Sequence, residues 1–118
     1  MNTPGSDRNT FTKWVTTMPN MAGVVGGAVR EGSYSGEFLK DTSGPVEVIE
    51  ALYRFNGDKH SFTALVHVEQ IGLKAVIMGV VTEGWHKGTP VKGEYSQITS
   101  AKAPGDGTAF QGTLDIIG

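Results

Sequence analysis

Tyr53, His60 and Glu83 are the three residues of this chain whose types and spacing best suit proton chemistry. An imidazole beside a carboxylate at the mouth of an apolar interior sits poised near neutrality. Burial raises the carboxyl pKa, and a neighbouring imidazolium lowers it. A tyrosine hydroxyl next to them can donate to an oxyanion or enol. The competing reading is plainer: a hydrogen-bonded His–Glu pair on a solvated rim, with no chemistry attached. Other reactive constellations are missing. Cysteine is absent, which excludes disulfides, thiolate catalysis and Cys-ligated metal. The histidines at 60, 67 and 86 form neither HxH nor HExxH, and no P-loop or GxSxG occurs. His67 and Glu69 share an outward face, His86 reads as a surface residue, and neither a metal nor a cofactor is expected.

Two hairpins would bring the three residues together. Asn56-Gly57 is a strong type I′ turn signal. A turn centred there pairs Phe55 with Asp58, Tyr53 with His60, Ala51 with Phe62 and Ile49 with Ala64. A second turn at Ile71-Gly72 pairs Glu69 with Lys74, Val68 with Ala75, Val66 with Ile77 and Phe62 with Val81, and ends with His60 opposite Glu83. Both turns put the same apolar residues on one face, and that agreement supports the assignment of the inside. Tyr53, His60 and Glu83 then lie side by side across three strands, with Trp85 continuing the face. A one-residue bulge near Gly79 or Gly84 would turn Glu83 outward and dissolve the group.

The elements carrying these residues read as strands. The chain has 118 residues and a net charge of −2, enough for one domain over 1–118, with no basic footprint for nucleic acid. No apolar run is long enough for a membrane helix and residues 1–10 lack a signal core, so a soluble, cytoplasmic protein is the default. Seventeen glycines, spread along the chain, mark turns and strand kinks. Strands are expected at 22–29, 32–40, 46–55, 60–70, 73–85, 91–98 and 108–117. Their short connections give an antiparallel meander, closed into a small calycin-like β-barrel of seven or eight strands. A two-sheet sandwich is the structural rival. Residues 1–10 read as loosely ordered. Phe11, Trp14, Val15 and Met18 recur at helical spacing, so 10–18 reads as a short helix packed on the barrel, although four threonines there suit a strand nearly as well.

Within the barrel Phe55, Phe62, Ile77, Trp85 and Tyr95 would contact a ligand. Tyr95 follows a loop that closes with either parity, so its direction stays open. Small Ala51, Ala64, Ala75 and Gly79 cluster on the inner face and favour a cavity; a barrel filled by Phe38, Phe55, Phe62, Trp85 and Phe110 is the alternative. Val46, Val48, Leu52, Leu65, Val76, Met78 and Val80 point outward, a large apolar surface that a homodimer or homotrimer would cover.

The stretch Tyr53-Arg-Phe-Asn-Gly-Asp-Lys-His60, the run 75–79 and Gly84-Trp-His-Lys-Gly-Thr-Pro-Val-Lys-Gly-Glu-Tyr95 resemble the small allene-oxide-cyclase-like barrels. That group includes allene oxide cyclases, dirigent proteins and spirotetronate cyclases. The resemblance covers roughly residues 30–117 and rests on strand rhythm and on Gly and aromatic placement. It implies an oligomeric barrel whose apolar lumen holds a lipid-, terpene- or polyketide-like molecule and steers cyclisation without a cofactor. This chain is shorter than most members, and no family catalytic residue maps onto it. Three functions are compatible with the sequence: a cofactor-free cyclase or isomerase, a non-catalytic binder of a small apolar ligand, and a structural barrel with a filled core.

Overall fold

The computed structural model describes residues 6–15, 20–42, 44–99, 105 and 107–117. Eight antiparallel strands follow one another around a closed barrel: β1 (Ser6–Val15), β2 (Asn20–Gly27), β3 (Gly32–Thr42), β4 (Glu47–Gly57), β5 (Ser61–Ile71), β6 (Lys74–Gly84), β7 (Pro90–Thr99) and β8 (Thr108–Ile117). β1 pairs with β2 on one side and β8 on the other, so no strand edge is left open. The seven expected strands are all present, with ends that differ by at most three residues.

The N-terminal segment corrects the expected helix. Residues 10–15 belong to β1, and 16–18 lie outside the described residues. Ser6–Thr10, expected to be loose, are part of the same strand, while 1–5 lie outside the description. Closure decides against the helix. A strand here satisfies the backbone edges of both β2 and β8, which a helix would leave unpaired. Period two then replaces period 3.6. Asn9, Phe11 and Lys13 turn inward and are buried, while Arg8, Thr10, Thr12 and Trp14 face out.

Both hairpins form, in registers other than the expected ones. β4 and β5 pair Phe55 with Phe62, Tyr53 with Ala64 and Ile49 with Val68. The connection is longer than a two-residue turn, and the Gly57 amide donates to the His60 carbonyl at 3.0 Å. Asp58 and Lys59 amides donate at 3.0 Å to Glu31 and Val29 carbonyls in the β2–β3 connection. A Cβ on Gly57 would lie 2.1 Å from the Val29 oxygen. Gly57 therefore serves close backbone approach between two loops, and that anchoring overrides the type I′ preference. At the next hairpin Gly72 takes φ +62° and Ile71 pairs with Lys74, so Glu69 faces Val76 instead of Lys74.

Each shift is an even number of residues, so the inner face survives it. Tyr53, Phe55, Phe62, Ala64, Val66, Val68, Ala75 and Ile77 are all buried. The exception is the end of β6. A bulge between Thr63 and Ala64 places Glu83 opposite Thr63 and leaves it exposed.

Candidate functional site

The expected Tyr53–His60–Glu83 group is not assembled. Tyr53 lies opposite Ala64, His60 sits in the β4–β5 connection, and Glu83 points to solvent. His60 instead stacks on Trp85, with ring centroids 3.9 Å apart and planes 5° from parallel. Trp85 is half-buried and packs on the core beside Phe62, partly closing one end of the barrel. Next to it His86, at φ +64°, is held by Asp7 through Nε2–Oδ2 at 2.9 Å. The physical cause of the miss is the pair of register shifts, which move His60 off the ladder, followed by the bulge that reverses Glu83.

The residues expected to meet a ligand do face the interior. Phe55, Phe62, Ile77 and Tyr95 are buried, which settles the direction of Tyr95. They meet one another and further rings. Phe55 and Phe62 stack at 4.9 Å, and Phe11 contacts Tyr34, Tyr53 and Phe55 at 5.8–6.0 Å. A groove of about 580 Å³ lies on the outer side of β5–β8, along Glu69, Val76, Glu94 and Thr113.

The polar chemistry of the interior belongs to Lys13, which the helical reading of 10–18 concealed. Lys13 is 2% exposed, and its ammonium donates to the Tyr53 hydroxyl at 2.5 Å. Nζ also lies 4.5 Å from the Tyr53 ring centroid and 4.2 Å from that of Tyr95, with Phe11 and Phe110 each at 5.9 Å. Four rings surround a cation in the manner of an aromatic cage. Among the described residues it has no carboxylate partner. Burial therefore lowers its pKa to about 7, so a substantial share of the population is a neutral amine at neutral pH.

Two hydroxyls, of Tyr34 and Tyr53, complete the site. Tyr34 packs edge-on to Tyr53 at 5.3 Å, and its buried hydroxyl interacts with that of Tyr53 but makes no well-aligned hydrogen bond among the described residues. That oxygen occupies the space over Gly36, where an added Cβ would lie 2.5 Å from it. Burial, reinforced by the Tyr53 and Tyr95 hydroxyls, pushes the Tyr34 pKa well up. Burial does the same to Tyr53. Both phenols stay protonated donors. Tyr95 donates to Gln70 Oε1 at 2.9 Å, and burial followed by the charges of Glu47 and Asp41 raises its pKa. Glu47 in turn is raised by its hydrogen bond with Asp41. One basic amine and two phenolic donors are thus brought together in a buried interior.

The signal for Lys13 was present in the alternation Asn9-x-Phe11-x-Lys13, which as a strand puts the lysine on the core face. Comparison with family models, with curated proteins and with solved structures finds no match for the chain.

Proposed function

We propose that the barrel is a cofactor-independent isomerase or cyclase for a small apolar carbonyl compound, with Lys13 as its base. The observation that supports this reading is an inward amine that, among the described residues, has a single hydroxyl partner and no carboxylate. A lysine buried without a counter-charge lowers stability, and such groups concentrate where their basicity is used. In the proposed step the neutral Lys13 amine takes a proton from the carbon next to the carbonyl. Electron density moves to the carbonyl oxygen, where the Tyr34 and Tyr53 hydroxyls donate to the enolate. The ammonium then returns the proton to another carbon, or the held enolate adds to a second carbonyl or conjugated alkene of the same molecule and the ammonium protonates the oxyanion or enolate that this addition leaves. Protons and electrons balance within the substrate. Water is excluded by the same rings that cage the amine. The family resemblance of the sequence agrees with such chemistry, with Lys13 in place of His60 and Glu83 as the base.

A second reading is a barrel whose interior only supports its shell. The packed rings of Phe11, Tyr34, Tyr53, Phe55 and Phe62 favour it. Deuterium exchange separates the two. Apolar β,γ-unsaturated ketones incubated with the protein in D₂O are expected to exchange α-protons, read by proton NMR. Lys13→Met lowers that rate by roughly 10²–10⁴, the usual weight of a general base, while the circular dichroism is unchanged. Absence of exchange together with absence of ketone binding would overturn the proposal and leave the filled barrel.

A further inference from the structure

Lys13 is set apart from the other described lysines by what surrounds its nitrogen. Lys40, Lys59, Lys74, Lys87 and Lys92 are exposed, whereas Lys13 is 2% exposed. Its Nζ donates to the Tyr53 hydroxyl, and a bond in that direction uses neither the lone pair of the neutral amine nor the phenolic proton. The rings of Tyr95 and Tyr53 lie 4.2 and 4.5 Å from Nζ, and those of Phe11 and Phe110 lie 5.9 Å away. Ring faces suit a diffuse, weakly hydrated cation better than a compact ammonium, which gives up strong hydration on burial. Lys13 stands two residues before the end of β1, and Phe110, its partner across the ladder, two residues after the start of β8. Phe110 is only partly buried, so this end of the barrel gives a small molecule a way to the nitrogen.

We propose that Lys13 also acts as a nucleophile and captures small apolar aldehydes as an imine, with Tyr53 moving the protons. The inference rests on the free Lys13 amine of the proposed function and adds a covalent step to it. A lysine desolvated among apolar groups is the usual source of such an amine. Nζ forms a bond to the carbonyl carbon, and the displaced electron pair on oxygen takes the phenolic proton of Tyr53. The Tyr53 oxygen takes a proton back from Nζ along the existing hydrogen bond, which gives a neutral carbinolamine. Tyr53 then protonates that oxygen again, the nitrogen pair becomes the second bond of C=N, and water leaves. The iminium returns its proton to the phenolate. The sum is amine plus aldehyde giving imine plus water, with no oxidant or reductant. The iminium spreads its positive charge over nitrogen and carbon, and the four rings face it. A ketone carries a second carbon group on the reacting centre, is more crowded there, and is left to the proton chemistry.

Benzaldehyde with sodium cyanoborohydride at neutral pH tests the inference, because this aldehyde has no α-proton for a base to remove. The hydride reduces the imine to a stable secondary amine, which peptide mapping locates. Over short exposures Lys13 is expected to carry roughly tenfold or more label than any exposed lysine, since the free amine is the reactive form. Unfolding in urea should abolish that preference, and Lys13→Met should leave only the slow surface labelling with unchanged circular dichroism. Tyr53→Phe, which keeps the amine and removes the proton carrier, should slow labelling of Lys13 by about 10². Labelling no faster at Lys13 than at the exposed lysines overturns the inference. If Lys13-dependent deuterium exchange of ketones persists in that case, the covalent step alone fails and the base reading stands. If exchange is absent as well, both fail.

Discussion

Asn9 and Lys13 stand four residues apart on the same inward face of β1, both buried, and the barrel treats them oppositely. Around Asn9 every demand is met by backbone. Its Nδ2 donates to the Leu114 carbonyl at 3.2 Å, and its Oδ1 accepts from the Val29 amide at 3.1 Å. The side chain ties β1 to β8 and to the β2–β3 connection, at the end where His60 and Trp85 stack. Around Lys13, among the described residues, the polar partner is one hydroxyl and four ring faces surround it. A buried polar group that is satisfied stabilises and specifies a fold, whereas one that is not lowers stability for as long as it stays charged. The contrast teaches that interior polarity is not uniform: one end is bolted, and the other holds reactive groups in reserve.

The sharpest way to test the contrast is pH. In the folded protein the Lys13 pKa is lowered to about 7, whereas in the unfolded chain it keeps its ordinary value of 10.5. Between those values the unfolded chain binds more protons, so stability rises with pH across that window and levels off below it. From pH 7 to 9.5 the gain is about 3 kcal/mol, from one proton at 1.36 kcal/mol per unit. Lys13→Met should remove this slope. Urea unfolding of both proteins at several pH values checks it. Parallel pH profiles for wild type and variant would mean that the amine is hydrated in the folded state.

Breaking the bolted end should have the opposite sign and no such pH dependence. Asn9→Ala leaves the Val29 amide and the Leu114 carbonyl without their side-chain partner. The expected loss is about 2 kcal/mol, from leaving buried backbone groups unpaired. It should appear as a lower urea midpoint with an unchanged slope. A loss near zero would mean that water replaces the amide, and the two ends of β1 would then not differ as described.

The same two residues mark what the sequence disclosed. The barrel was legible because alternation in β2 to β8 is strong and even register errors leave faces intact; Phe55, Phe62 and Ile77 reached the core although their partners were misassigned. The site was not legible, for two physical reasons. The Gly57 loop is fixed by Val29 and Glu31, distant in sequence, so local turn preference misjudged the register and with it the place of His60. And β1 is a strand because closure requires one, a condition set by β2 and β8, while its own residues fit a helix nearly as well. Once β1 is extended, the inward direction of Lys13 follows from Phe11 alone. Glu83 depended on a bulge, which period-two reasoning could name as a hazard but could not position.

The smallest expected effect concerns the hydroxyl that lies between the two regimes. Tyr34 has the ring contacts of a core residue, stacked on Phe11 at 5.9 Å and edge-on to Phe55 at 5.7 Å, yet its buried hydroxyl has only a poorly aligned contact with that of Tyr53. Removing a buried hydroxyl with only a poorly aligned partner forfeits little hydrogen bonding and relieves its desolvation, while the small void left over Gly36 acts the other way. Tyr34→Phe should therefore stay within about 0.5 kcal/mol of wild type, or gain slightly. A hydroxyl so weakly held is available to donate to a ligand, so the same variant should bind apolar ketones more weakly while unfolding at nearly the same urea concentration. A loss of more than about 1 kcal/mol would show that Tyr34 is hydrogen-bonded in solution. Its hydroxyl would then belong with Asn9, among the groups that hold the barrel shut.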